Sequence, residues 1–158
     1  MRFDQIRPRL SGNRRKAFEN LNKKERRILI IGDIHAPFEL EGYHEFCLDV
    51  YAKYNCNQVI FIGDIRGGEE LAYAIRDVEK WKNSFPKADV IIGNHDRMIM
   101  RKAFTSAIPK EWIKDYNEVL GTNWTWEDRV VYDGVQYVHG EGGTARTRCK
   151  NDMMSTVQ

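Results

Sequence analysis

The sequence predicts an α/β fold: a layered sheet in which parallel βαβ units are flanked by helices. Three short apolar runs, at residues 28–31, 59–62 and 90–92, support this prediction. Each run is continuous rather than alternating, which is typical of strands buried on both faces of a sheet. A stretch with helical periodicity separates neighbouring runs, and a strand, helix and parallel strand in this order form a right-handed crossover. The length of 158 residues suits one domain with a sizeable core.

The helices between these strands are predicted from apolar residues that recur at steps of three and four. The first set is Tyr43, Phe46, Cys47, Val50, Tyr51 and Tyr54, and the second is Leu71, Ala74, Ile75, Val78 and Phe85. After the third run, residues 98–107 predict another helix. Pro109 is expected to open a further one that continues to Leu120 and ends at Gly121, because proline is well tolerated in a first turn.

The C-terminal part predicts an antiparallel hairpin. Residues 124–131 and 135–138 flank Asp133-Gly134, a pair that is favoured in type I′ turns. We expect these two strands to extend the same sheet. The segment 155–158 is typical of one more strand.

The charge is unevenly distributed, although the net charge is only +2. Residues 1–27 hold ten Lys or Arg and three acids, whereas residues 28–158 hold fifteen Lys or Arg and twenty acids. We therefore divide the chain into a basic N-terminal arm, 1–27, and a domain, 28–158. The arm could contact nucleic acid or an acidic partner, but charge runs are more often solvated segments, and this interpretation is favoured.

Polar clusters follow each of the three apolar runs: Gly32-Asp33-Ile34-His35, Gly63-Asp64-Ile65 and Gly93-Asn94-His95-Asp96. A fourth, His139-Gly140, follows residues 135–138. The carboxyl ends of parallel strands form the binding crevice of an open α/β sheet, so we expect these clusters to converge. Taken singly, a Gly-Asp after a strand is often only a turn or a helix cap. Their joint occurrence in this order favours a functional site.

The ligand types in these clusters indicate a site for two divalent metal ions. Carboxylates mixed with neutral imidazoles suit Mn²⁺, Fe or Zn²⁺ better than Mg²⁺ or Ca²⁺. We favour Mn²⁺, with Fe, Zn²⁺ and Ni²⁺ as alternatives. Two ions that share a carboxylate can neutralise a phosphoryl group and acidify a water for in-line attack. Asp64, on the middle strand, is best placed to bridge them.

The ordered motifs GDIH, GDI, GNHD and VHG resemble those of the calcineurin-like metallophosphoesterase superfamily, over roughly residues 28–140. The resemblance implies that Asp33 and His35 bind the first metal and that Asp64 bridges. It also implies that Asn94 and His139 bind the second metal. His95 would then be the catalytic residue, which contacts the phosphate or protonates the leaving oxygen.

The chain departs from the family pattern in two places. Many members carry an acidic residue three positions after the bridging Asp, where this chain has Gly67. The family also closes its site with a Gly-His-x-His segment, and no histidine follows His139. The natural chain could continue past Gln158, another chain could complete the site, or the site could bind metal weakly. We favour the first, a C-terminally incomplete metallophosphoesterase-like domain.

Arg66 and Arg97 are candidate substrate-binding residues, because a guanidinium matches the geometry of a phosphate. Solvated positions near a helix start explain them equally well. Arg146, Arg148 and Lys150 could line the rim of the cleft or simply be solvated. His44 is expected at the surface rather than in a metal site. Base stacking by Trp112, Trp124 and Trp126 is less favoured than ordinary packing.

These observations predict a metal-dependent phosphoesterase that acts on phosphomonoesters or phosphodiesters, with a nuclease or nucleotide phosphodiesterase among the options. The alternative is a noncatalytic or truncated binding module of the same fold. No apolar stretch is long enough to span a bilayer, so no membrane partner is expected. Three cysteines without metal-type spacing favour a reduced, cytoplasmic location. Neither the physiological substrate nor the oligomeric state follows from the sequence.

Overall fold

A computed structural model describes residues 25–67, 71–140 and 143–158. Most of the predicted basic arm lies outside these residues, and only Glu25, Arg26 and Arg27 are described. The carbonyl of Arg27 accepts a hydrogen bond from the Asn57 N–H at 2.8 Å, and Arg26 pairs with Asp133 at 2.8 Å. The division into an arm and a domain remains a prediction.

The described elements are, in chain order, β1 (Ile28–Ile31), α1 (Tyr43–Lys53), β2 (Gln58–Phe61), α2 (Leu71–Ser84), β3 (Asp89–Ile91), α3 (Met98–Thr105), a 3₁₀ turn (Lys110–Trp112), α4 (Tyr116–Leu120), β4 (Thr125–Glu127), β5 (Arg129–Tyr132), β6 (Val135–Val138), α5 (Ala145–Asp152) and β7 (Ser155–Val157). No helix in the described part of the chain is long and apolar enough to cross a membrane.

The strands β1 to β4 form one sheet in that order, and every neighbouring pair is parallel. The α1 and α2 helices provide the crossovers between β1, β2 and β3. Their apolar stripes pack on one face of this sheet, where Phe61, Val78 and Trp81 are fully buried. The predicted α/β fold with parallel βαβ units is confirmed.

The second face of the parallel sheet is covered by a three-stranded sheet, β5-β6-β7. Ile60, Ile62 and Ile91 from the first sheet pack with Tyr137 from the second. The β5-β6 hairpin is antiparallel, and its turn residues Asp133 and Gly134 have φ values of 52° and 77°. Positive φ at both positions is what a type I′ turn requires, so the hairpin prediction is confirmed.

The expectation that the hairpin extends the first sheet is wrong. The segment 124–131 splits at Asp128 into β4, which is parallel to β3, and β5, which is antiparallel to β6. Trp124 packs in the core beneath the helices, whereas Val130 and Tyr132 pack in the core between the sheets. The chain therefore changes layer at Asp128. Charged residues at 127–129 interrupt the apolar pattern of this segment, but the pattern does not show on which layer each half packs.

The single helix expected from Pro109 to Leu120 is also wrong. The 3₁₀ turn ends at Ile113, which is extended with φ −109° and ψ 126°. Asp115 then starts α4, since its carboxylate accepts the Glu118 N–H at 2.7 Å. The predicted end of this helix is correct, because Gly121 caps α4 in the left-handed conformation with φ 64°.

The prediction of a surface position for His44 is wrong, since this side chain is buried. Its Nε2 lies 2.9 Å from the Ser84 hydroxyl, and its ring lies edge-on to Trp81 with the ring centroids 4.8 Å apart. The α2 helix covers it, so His44 joins α1 to α2. Of the three tryptophans considered for base stacking, Trp124 is buried in the core and Trp112 is 83% exposed.

Candidate metal centre

The four polar clusters converge at one edge of the molecule. Asp33 and His35 follow β1, Asp64 follows β2, and Asn94 follows β3. The second sheet contributes His139, which follows β6 and reaches across to the same edge. Two groups of side chains there could each hold a metal ion: His35, Asp64 and His95, and Asp33, Asp64 and His139. Within each group the ligand atoms lie within 4.8 Å of one another, and Asp64 belongs to both.

Asp64 is held by the backbone in a conformation that aims one carboxylate oxygen at the histidines. Its φ is 48°, a left-handed value that Asp and Asn adopt more readily than most residues. Its Oδ1 accepts the His95 N–H at 2.9 Å. Its Oδ2 lies 3.7 Å from His35 Nε2 and 3.4 Å from His139 Nε2. A carboxylate in this position can be shared between two ions.

Gly93 is required beside Asp64 because the two loops nearly touch. A Cβ at position 93 would lie 2.1 Å from Asp64 Oδ1 and 2.4 Å from its backbone nitrogen. No side chain fits there unless the Asp64 backbone itself moves. The glycine that precedes Asn94 therefore allows the second and third motif loops to pack together.

The orientation of His139 fits a metal ligand. Its Nδ1 lies 2.7 Å from the Ile62 carbonyl, to which it donates. In the neutral ring, Nε2 then carries a lone pair that faces Asn94 Oδ1 at 2.9 Å and Asp64 Oδ2 at 3.4 Å. These three electron-rich atoms repel one another unless a cation or proton lies between them. Ligands about 2.1 Å from a common ion lie about 3 to 3.5 Å apart, so the separations suit a divalent metal.

Asp33 and His35 form the more open part of the cluster. The His35 N–H donates to the Asp64 carbonyl at 2.9 Å, and this bond joins the first motif loop to the second. The His35 Nε2 lies 3.8 Å from Asp33 Oδ2. The side chain of Asp33 is 49% exposed, whereas that of Asp64 is 5% exposed.

His95 lies against His35, with the ring centroids 5.0 Å apart in an edge-to-face arrangement. Its Nδ1 is buried and has no hydrogen-bond partner within the described residues. A buried imidazole nitrogen without a partner costs free energy unless a ligand or water satisfies it. His95 thus provides a polar atom that is suited to bind a ligand in the cluster.

Asp96 belongs to the third motif, but the sequence pattern assigned it no role. In the structure, its carboxylate accepts hydrogen bonds from two loops and so holds them together. Its Oδ1 accepts the N–H of Ile65 at 3.1 Å and that of Arg66 at 3.4 Å. Its Oδ2 accepts the Gly93 N–H at 2.9 Å. Burial raises the pKa of Asp96, while these backbone donors lower it. The signal that could have identified it is an acid in a strand-end loop immediately after the ligating residues.

Tyr116 supports the same loop from the other side. Its hydroxyl donates to the Asp96 carbonyl at 3.1 Å, and its ring stacks on Trp126 with centroids 4.4 Å apart. Burial raises the pKa of Tyr116 to about 12, so the hydroxyl stays protonated and can donate at neutral pH. The α4 helix and β4 are in this way connected to the candidate metal-binding loops.

Gly67 occupies the position where many family members carry an acid, and the local backbone leaves no room for one. A Cβ there would lie 2.4 Å from the His35 carbonyl oxygen. The Gly67 N–H also donates to the Ala36 carbonyl at 2.9 Å. The first and second motif loops are closer together at this point than a side chain allows.

The candidate substrate-binding arginines lie next to the cluster in the chain. Arg97 pairs with the exposed Asp128 at 2.8 Å, and its backbone precedes the first turn of α3. Arg66 lines a mainly apolar cavity of about 310 Å³ together with Asp96 and Tyr116. Arg146 and Lys150 are exposed on α5. The roles of these side chains, of His95 and of the metal ligands remain predictions.

Comparisons with known proteins agree with the motifs. The model of the calcineurin-like phosphoesterase family matches residues 26–153. A comparison with curated proteins gave no match. Among solved structures, a nuclease named MPE from Pseudomonas putida shares 23% identity over 75% of this chain and 56% of its own, with a TM-score of 0.49. Yfce, a phosphoesterase from E. coli, shares 15% identity over 72% of this chain and 57% of its own, with a TM-score of 0.44.

The chain spans little more than half the length of these two proteins. The family match itself covers most of the chain and includes all four motifs. This chain belongs to the calcineurin-like phosphoesterase family.

Proposed function

We propose that this protein hydrolyses phosphate esters, monoesters or diesters, with water activated at a site for two divalent metal ions. One observation carries the proposal: two groups of ligand atoms share the buried carboxylate of Asp64. When bound, two such ions would neutralise the phosphoryl oxygens and lower the pKa of a bound water. The mixture of carboxylate and imidazole ligands favours Mn²⁺, with Fe, Zn²⁺ or Ni²⁺ as alternatives.

The ligands would be Asp33, His35, Asp64, Asn94 and His139. Asp64 holds its Oδ2 between the rings of His35 and His139. Asn94 places its Oδ1 2.9 Å from Nε2 of His139. The family resemblance implies that Asp33 and His35 hold one ion and Asn94 and His139 the other, whereas the ligand atoms group His35 with His95 and Asp33 with His139.

His95 is the proposed catalytic residue. Its backbone N–H donates to Asp64, so the position of the ring is tied to the bridging carboxylate. Its Nδ1 has no partner within the described residues, so it is suited to bind a phosphate oxygen or to protonate the leaving oxygen. Gly67 supplies no carboxylate to orient this ring, which packs edge-on against His35.

The first experiment is Mn²⁺-dependent hydrolysis of bis-p-nitrophenyl phosphate, with p-nitrophenyl phosphate as the monoester. The chain should turn over at least one of them, and Asp64→Asn should abolish the activity. Asp49→Asn, which removes an exposed carboxylate from α1, is the matched control and should retain it. If the folded chain shows no metal-dependent turnover of either ester, the proposal is wrong and a noncatalytic binding module is favoured.

The alternative, a binding module that keeps the fold without catalysis, has one specific observation in its favour. The backbone at Gly67 leaves no space for the family's acidic residue. Such a module would bind Mn²⁺ through Asp64 and still not turn over either ester. Calorimetry of Mn²⁺ binding to the unaltered chain and to Asp64→Asn separates the two functions.

The proposed location is the cytoplasm. It is supported by the cysteine content, since Cys47, Cys56 and Cys149 have neither the even count nor the spacing of a disulfide framework. Nucleic acid is a proposed partner for the basic arm, whose residues 1–24 lie outside the described part of the chain.

A further inference from the structure

The α3 helix carries a basic and aromatic stripe on its outward face. Arg97 caps the helix, and Met100, Arg101 and Phe104 follow at steps of three, four and seven residues. Residues with this spacing lie on one side of a helix. Phe104 is 87% exposed, whereas Ala103, about 100° away around the helix, is buried. The stripe thus points away from the core.

The charge around this stripe has one sign. Residues 97–110 hold four Lys or Arg and no Asp or Glu. An ordinary solvated helix commonly mixes both signs in pairs four residues apart, and this segment does not. Arg97 pairs with Asp128, but that carboxylate is 78% exposed, and such surface pairs contribute at most about 1 kcal/mol. A phosphate can therefore replace Asp128 in this pair.

The stripe begins at the metal centre. Arg97 comes directly after Asp96, whose carboxylate braces the metal-binding loops. An open depression lies along the helix, and its lining includes Arg97, Met100, Arg101 and Phe104. Four residues of helix rise about 6 Å, so the two arginines are separated like neighbouring phosphates of an extended strand. Beyond them, Phe104 offers a free ring face or edge to a base.

We propose that α3 binds single-stranded nucleic acid that leads into the metal centre, with Arg97 and Arg101 on phosphates and Phe104 stacked on a base. Basic side chains that follow a backbone, together with aromatic rings that stack on unpaired bases, are how proteins bind single strands without sequence preference. A duplex keeps its bases stacked internally, so Phe104 would gain nothing from it. The inference rests on the proposed function to the extent that the bound strand is the substrate, and it names the substrate class.

The test is fluorescence anisotropy of a labelled oligothymidylate, in EDTA so that no hydrolysis occurs, over a series of salt concentrations. Arg101→Ala should weaken binding and reduce the slope of log affinity against log salt by about 0.7, the value for one lost phosphate contact on a single strand. Phe104→Ala should weaken binding about 5- to 100-fold without changing the slope. Phe104→Tyr should restore it.

Matched controls come from α1, the crossover helix between β1 and β2. Lys53→Ala removes an exposed cation, and Phe46→Ala removes a ring that is 62% exposed. Both should bind like the unaltered chain, and the basic arm is intact in every variant. Thermal melts check folding. Arg101 and Phe104 are both exposed, so their truncation should leave the melting temperature unchanged.

The inference is overturned if Arg101→Ala and Phe104→Ala bind like their controls, which would assign any binding to the arm. It is equally overturned if duplex binds as tightly as the single strand and both respond alike to Phe104→Ala. Hydrolysis of bis-p-nitrophenyl phosphate with these negative binding results leaves the proposed function standing. Binding through α3 without hydrolysis of either small ester would support the nucleic-acid surface and contradict the proposed function.

Discussion

The two carboxylates that would bind metal, Asp64 and Asp33, lie in very different surroundings. Asp64 is 5% exposed, and its oxygen accepts a backbone N–H from the neighbouring loop. Asp33 is 49% exposed, and its Oδ2 lies 3.8 Å from His35 Nε2. The backbone therefore fixes one half of the site before any metal binds. The other half is held less firmly, and we expect a bound ion to order it.

The largest effect on activity is expected from substituting the two carboxylates themselves, Asp64 and Asp33. Asp64→Asn removes the charge that both ligand groups share, and should lower Mn²⁺-dependent hydrolysis more than about 100-fold, beyond what loss of an outer-shell partner costs. Asp33→Asn affects one ligand group and should lower Mn²⁺ affinity while a higher Mn²⁺ concentration partly restores turnover. Hydrolysis measured across Mn²⁺ concentrations decides between them. Equal and unrecoverable losses would contradict the comparison.

Two glycines provide the next test. Gly93 precedes Asn94 and packs against Asp64, in the less exposed half of the site, whereas Gly32 precedes Asp33, in the more exposed half. A Cβ at Gly93 would meet Asp64 Oδ1 at 2.1 Å, whereas one at Gly32 would meet only the Tyr43 hydroxyl at 3.7 Å. Gly93→Ala should therefore destabilise the fold by about 2 to 3 kcal/mol, as overpacking does. Gly32→Ala should stay within about 0.5 kcal/mol of the unaltered chain. Urea unfolding of both variants is the measurement, and similar midpoints would show that the loops adapt.

Asp96 holds in place the loops around Asp64, the less exposed half of the site. Asp96→Asn replaces one acceptor oxygen with a donor, so either Gly93 N–H or the pair Ile65 and Arg66 loses its acceptor. We expect a loss of about 2 kcal/mol in the free energy of unfolding, the usual cost of an unsatisfied buried group. Mn²⁺ affinity should fall about tenfold, as for other partners that orient ligands.

Asp49→Asn is the control for Asp96→Asn, because it changes an exposed acid on α1 by the same atoms. It should leave both the unfolding free energy and the Mn²⁺ affinity unchanged. If Asp96→Asn behaves in the same way, the three backbone hydrogen bonds do not fix the loops, and the firmness of Asp64 has another origin.

The sequence was sufficient to predict the parallel strands and the convergence of the motifs, but it did not reveal every contact that holds the site. Continuous apolar runs predicted β1, β2 and β3 to within a residue, because strands buried on both faces need apolar side chains at every position. The ends of those strands predicted that the polar clusters converge. The layer change at Asp128 was missed, since packing on two different cores, not a local signal, separates β4 from β5. Asp96 was missed as a brace because its partners are backbone N–H groups, which carry no sequence identity.

The smallest expected effect concerns Tyr116, which supports the Asp96 loop through its hydroxyl. Tyr116→Phe should cost about 1 kcal/mol near pH 8, the usual net value of one hydrogen bond. The folded pKa of Tyr116 is about 12, raised from the model-compound value of 10.0 mainly by burial. The stabilisation is therefore complete below about pH 10 and is lost as the pH rises toward 12, because the unfolded chain ionises first. The difference in unfolding free energy between the unaltered chain and Tyr116→Phe should accordingly shrink as the pH rises from about 10 toward 12. A constant difference would mean that the hydroxyl is more open to solvent than its packing against Trp126 indicates.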